Sequence, residues 1–137
     1  LIEISDQPNP EAERLLGSGL AAFNESITGY NDRQPLTVLI KDPATQQIVG
    51  GITGKTTLGM AFLDLFHLPE HLRGSGLGSQ LLQAFEDEAR RRGCRNAVLY
   101  TLSFQAPGFY EKNGWLRFGE IPCEPEGSSR VFLSKPL

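Results

Sequence analysis

Residues 73–79 read Arg-Gly-Ser-Gly-Leu-Gly-Ser, with glycine at every second position, and they join two segments of opposite character. Before them runs Gly-Met-Ala-Phe-Leu-Asp-Leu-Phe-His-Leu-Pro (59–69), nearly continuous apolar sequence that predicts a central strand covered on both faces. After them Leu77, Leu81, Leu82, Phe85 and Ala89 recur at helical spacing and predict an amphipathic helix. A connector needs one glycine at most. Three imply a backbone that turns with positive φ and a partner that approaches it without meeting a Cβ. The first N–H groups of the helix have no intrahelical partner, and the helix dipole places about half a positive charge there. Strand, glycine loop and helix together make an anion site suited to a pyrophosphate.

The loop differs from two other phosphate motifs. A P-loop requires Gly-x-x-x-x-Gly-Lys-Ser/Thr, and no lysine follows these glycines. The dinucleotide fingerprint Gly-x-Gly-x-x-Gly requires glycine at 79, which is Ser79, and its acidic ribose partner is also missing. On the helix that follows, Glu86/Arg90, Asp87/Arg91 and Glu88/Arg92 form three acid-before-base pairs at i,i+4, read here as the polar face opposite the apolar stripe. The arginines stand where the dipole favours cations and Gly93 suits the C′ position, so the basic run reads as a helix end. A net charge of −3 gives no footing for nucleic acid.

The rest of the chain supplies a sheet. Leu1–Ile4 alternates like a short strand, residues 11–26 carry a helical apolar pattern, and 29–35 are rich in turn residues. Residues 36–42 and 47–57 flank a turn and predict an antiparallel hairpin. Further strands are expected at 95–102, 115–121 and 129–136, with a loop and short helix at 103–114 closed by Gly114. The 137 residues suit one domain, 1–137, of α/β (α+β) class: a mixed sheet of six or seven strands with helices packed on it. No apolar run reaches the ~20 residues of a membrane span, and the opening residues lack a secretory layout, which predicts a cytoplasmic protein. Cys94 and Cys123 read as reduced thiols. His67 and His71 are separated by Pro69, which opposes a helical metal pair, so no metal is expected.

Arg73-Gly74-Ser75-Gly76-Leu77-Gly78, following a strand that ends Phe-His-Leu-Pro-Glu, resembles the acetyl-CoA motif [Q/R]-x-x-G-x-[G/A] of the GNAT acetyltransferase superfamily. A second family motif, a tyrosine, a short spacer and Gly-aromatic, is similar to Phe109-Tyr110-Glu111-Lys112-Asn113-Gly114-Trp115. The order of elements is similar too, so the resemblance covers nearly the whole chain. It implies a mostly antiparallel sheet whose central strands splay apart to admit the cofactor. It also implies that the amides of Gly74, Ser75, Gly76, Leu77, Gly78 and Ser79 hold the CoA pyrophosphate, with Arg73 at the loop's start. Phe66, His67 and Leu68 would pair with the pantetheine arm as an added strand does. The Leu68 amide would bond the acetyl carbonyl.

Tyr110 is the side chain implied to protonate the departing thiolate, against the plainer reading of a ring packed under the helix. A lysine-like amine is only about one part in a thousand neutral at pH 7.4, so a base is useful. Asp64, His67 or water are the candidates. Strict alternation would put Asp64 and His67 on opposite faces of the strand. Two departures from the family pattern stand out: Ser103, with Gln105 nearby, replaces an asparagine that contacts pantetheine, and Pro69 comes one place early.

The resemblance implies an N-acetyltransferase passing acetyl from acetyl-CoA directly to a primary amine, on a small molecule or a peptide. The alternative is a non-catalytic acyl-CoA-binding module, and a longer acyl donor is a third reading. The acceptor is expected to meet the N-terminal helix and residues 24–35, where Glu25 and Asp32 lie. Exposed strand edges leave room for a homodimer.

Overall fold

The structure, a computed structural model, describes residues 1–137. It comprises two compact units, Leu1–Asp32 and Arg33–Leu137. The first contains helix α1 (Pro10–Thr28). Asn9 caps it, its side-chain oxygen accepting from the Ala12 N–H at 2.9 Å, and Pro10 fits the first turn, where its missing donor costs nothing. At the other end Gly29 adopts φ 85° and donates to the Glu25 carbonyl at 2.8 Å. Leu1–Ile4 forms no strand. Its alternation is real, but four residues without a ladder partner do not make one.

The second unit is a six-stranded sheet in the order β1-β2-β3-β4-β6-β5. Its strands are β1 (Gln34–Lys41), β2 (Ile48–Thr57), β3 (Met60–His67), β4 (Asn96–Leu102), β5 (Leu116–Pro122) and β6 (Ser129–Pro136). All neighbours are antiparallel except β3 and β4. The parallel pair is joined through α2 (Leu77–Arg91), the crossover that a parallel connection requires. A shorter helix, α3 (Pro107–Lys112), links β4 to β5, and Pro107 starts it at a first-turn position. The β1–β2 turn is closed by Asp42, whose carboxylate accepts from the N–H groups of Ala44 and Thr45 at 2.8 and 3.1 Å.

The core lies between one face of the sheet and α2. Ile52, Ala61, Ala97, Val131 and Leu133 are buried from the sheet, and Leu82, Phe85 and Ala89 from the helix. Full burial of each large side chain is worth about 1.5–3 kcal/mol. β3 is not covered on both faces by helices of this unit: Ala61 and Leu63 are buried, while Asp64, Leu65 and His67 are exposed.

The bulge in β3 matters for the site. Thr53 pairs with Leu65 but Gly54 pairs with Leu63, so Asp64 is an extra residue. Odd positions face the core before it (Ala61, Leu63) and even positions after it (Phe66, Leu68). Asp64 and His67 therefore share the face turned away from α2, which corrects the reading from strict alternation.

Candidate active site

Three residue pairs join β3 to β4: Met60–Asn96, Ala61–Ala97 and Phe62–Val98. Beyond them the two strands part. β3 stays on β2 as far as His67, and β4 stays on β6 as far as Leu102. Each strand is held by its outer neighbour, so the fork is built in and the inner backbone groups of both arms lack ladder partners. The fork opens into a cavity of about 830 Å³, within the range of small-molecule sites. Phe66, His67 and Leu68 line one arm, and Thr101, Phe104 and Gln105 line the other.

The glycine loop closes the end of the cavity. Arg73, Gly74, Gly76, Gly78 and Ser79 line it, whereas Ser75 does not and Leu77 packs against the core. Gly74 and Gly76 have φ of 84° and 85°, and an added Cβ at either would have no heavy atom within 4 Å. Only conformation and open space therefore call for glycine there. Gly76 is the N-cap of α2 and supplies no side-chain cap, so the first amides of the helix are left to a ligand. Arg73 Nε donates to the Leu68 carbonyl at 2.7 Å, tying the loop to the end of β3.

The opposite arm explains the departure at the family's asparagine position. Ser103 Oγ accepts from the Ser129 N–H at 3.0 Å and is committed to the β5–β6 hairpin. Gln105 faces the cavity instead, its carbonyl oxygen held by the Thr101 hydroxyl and the Leu102 N–H, each at 3.0 Å. Its amide NH₂ is the donor this arm presents.

Tyr110 is buried rather than lining the cavity, at 7% exposure. Phe66, Phe109 and Trp115 meet it edge-on at centroid distances of 6.3, 5.2 and 6.0 Å. Burial pushes its phenol up to about 12, so it is protonated throughout the physiological range. Phe66 and Phe109 both line the cavity and touch Tyr110. Of the two base candidates, Asp64 pairs with Lys55 at 3.4 Å, while His67 borders the cavity.

Sequence reading placed Glu86 on the solvent face; the structure buries it at 1% exposure. Its oxygens accept from Trp115 Nε1 at 3.2 Å and Lys135 Nζ at 2.6 Å, with Arg90 at 3.5 Å. The signal was present: residue 86 lies four after Leu82 and three before Ala89, inside the apolar stripe. Of the expected i,i+4 pairs, Glu86–Arg90 and Glu88–Arg92 form, and only Asp87 changes partner. Asp87 meets Arg90 at 3.0 Å, and Glu88 holds both Arg91 and Arg92, which depress its carboxyl to about 2.

Residues 3–115 match the model of the acetyltransferase (GNAT) family. The chain belongs to this family. An acetyltransferase of Agrobacterium fabrum is 33% identical over 132 residues, covering 96% of each chain. Blasticidin-S acetyltransferase of Streptomyces morookaense is 36% identical over 92 residues, covering 66% of this chain and 68% of its own. A crystal structure from Agrobacterium tumefaciens superposes with a TM-score of 0.90 at 31% identity, covering 100% of this chain and 99% of that one. This GNAT protein is thus an acetyl-CoA-dependent acetyltransferase, and its open six-stranded sheet is the family's fold. The residues present fit acetyl-CoA. Free amides at the start of α2 suit a pyrophosphate, and unpaired backbone on both fork arms suits the amides of a pantetheine arm.

Proposed function

We propose that this GNAT protein transfers acetyl directly from acetyl-CoA to a primary amine, with residues 1–137 acting as one acetyltransferase domain. The observation that carries the reading is the β3–β4 fork opening beside the bare N-terminus of α2. In this reading the backbone of Gly74–Ser79 grips the pyrophosphate, Arg73 braces the loop, and Phe66–Leu68 pair with pantetheine. The Leu68 N–H donates to the acetyl oxygen as it gains charge, and the Arg73–Leu68 bond steadies that stretch of chain. Gln105 takes the pantetheine contact that Ser103 cannot make.

The amine nitrogen attacks the carbonyl carbon to form a tetrahedral intermediate, whose collapse breaks the carbon–sulfur bond. Tyr110 gives its proton to the departing thiolate, and the amine's proton leaves to His67 or water. Asp64, already paired with Lys55, is the weaker base candidate. Similarity to a protein named for blasticidin S favours a small-molecule amine over a peptide. No helix is long and apolar enough to cross a membrane, which agrees with a cytoplasmic enzyme. β5 pairs on one side only and every residue in it is exposed, which supports self-association through that edge.

Tyr110→Phe tests the mechanism. Loss of a general acid lowers kcat by about 10²-fold or more, with KM for acetyl-CoA little changed. An unchanged kcat across pH would remove Tyr110 from the chemistry.

A further inference from the structure

Glu86 joins three elements that the reaction needs in register. It sits in the middle of α2, ten residues, or about 15 Å, along the helix from Gly76 in the glycine loop. Lys135, its partner on β6, also donates to the Asn113 carbonyl at 2.8 Å, at the end of α3. Trp115, its other partner, donates its backbone N–H to the Tyr110 carbonyl at 3.0 Å and rests its ring against the phenol. Two restraints on the tyrosine-bearing helix therefore converge on one buried carboxylate. The charged groups facing it are Lys135 from β6 and Arg90 from its own helix.

Stability alone does not explain this arrangement. Burying a carboxylate is costly, and apolar residues of similar volume commonly stabilise a core as well or better. A fully satisfied polar network instead enforces one relative placement of its members. We propose that Glu86 is a positioning residue for acetyl transfer: it fixes α3, and Tyr110 on it, against the helix that starts at the glycine loop. The phenol and the thioester sulfur are thereby kept at one spacing. This rests on the reading of Tyr110 as proton donor.

The test uses Glu86→Gln, which keeps the size and one acceptor oxygen but loses the charge, alone and combined with Tyr110→Phe. Lys135→Met, at the edge of the network, provides the same comparison should Glu86→Gln fail to fold. In the otherwise native background kcat is expected to fall about tenfold, with KM for acetyl-CoA within about twofold. In the Tyr110→Phe background the same change is expected to alter kcat by less than about twofold, because the two residues act as a unit. The tyrosinate absorbance that Tyr110→Phe removes provides a readout independent of activity. It is expected to appear at lower pH in Glu86→Gln, as the loosened helix admits water to the phenol. Equal losses of kcat in both backgrounds, with that absorbance unmoved, would overturn the proposal. Should Tyr110→Phe itself keep full kcat, the proton-donor reading falls, and the absorbance alone decides whether Glu86 positions Tyr110.

Discussion

Gly76 and Gly93 stand at the two ends of α2 with the same φ of 85°, and an added Cβ at either meets no heavy atom within 4 Å. Replacing each by alanine thus imposes a matched conformational cost. The left-handed backbone costs an L-residue about 1–2 kcal/mol, offset in part by about 0.4–1 kcal/mol from the stiffer unfolded chain. A net loss of about 1 kcal/mol lowers Tm by about 4 °C or somewhat more in a unit of this size. The two variants are expected to match in calorimetry. They should part in kinetics. At Gly76, which lines the cavity, the methyl group would occupy open space beside the amides proposed to hold the pyrophosphate, and KM for acetyl-CoA is expected to rise at least about tenfold, or about 1.4 kcal/mol. At Gly93 the methyl group stands at the far end of the helix, and KM is expected within about twofold of the parent. Both numbers come from thermal scans and from CoA-release kinetics at varied acetyl-CoA. A Gly76→Ala protein with the parent's KM would refute the assignment of this loop to the pyrophosphate, because the matched control removes instability as an explanation.

Two further outcomes follow from burial. Tyr110 is raised from 10.0 to about 12 by desolvation, so its contribution is fully present below about pH 10 and is lost as pH rises through about 12. Two pK units correspond to about 3 kcal/mol, so denaturant midpoints should fall over that window in the parent and less in Tyr110→Phe; equal slopes would contradict the phenol's burial. Gly54→Ala would place a Cβ 2.2 Å from the Phe62 carbonyl oxygen and 3.0 Å from Phe85 Cε2, beside the β3 bulge. Neither backbone can yield, so a loss of about 3 kcal/mol or more in urea unfolding is expected, and a parental midpoint would show the strands are not so closely paired.

What could be read from the sequence was what local chemistry decides. The glycine loop, the amphipathic stripe of α2 and the β1–β2 hairpin each depend on neighbours within a few residues, and each appears where expected. The fork is different. The family resemblance implied it, but its cause is the pairing of Met60–Phe62 with Asn96–Val98, more than thirty residues away. Asp64 and His67 were placed on opposite faces because period-two alternation assumes an unbroken ladder, and one bulged residue reverses it. Glu86 was assigned to solvent because its i,i+4 arginine offered a surface pair. Its partners Trp115 and Lys135 come from the last quarter of the chain, where no helical periodicity could reveal them. Tyr110 was legible as a motif position, but its burial among Phe66, Phe109 and Trp115 was not.

The proposed reaction is direct acetyl transfer from acetyl-CoA to a primary amine at the fork. It is tested most directly by incubating the protein with acetyl-CoA and a panel of primary amines, small cationic molecules and peptides among them, and measuring released CoA and acetylated product together. The expected result is turnover with at least one amine, giving CoA and N-acetyl product in equal amounts. Tight binding of CoA with no turnover for any amine would contradict the account.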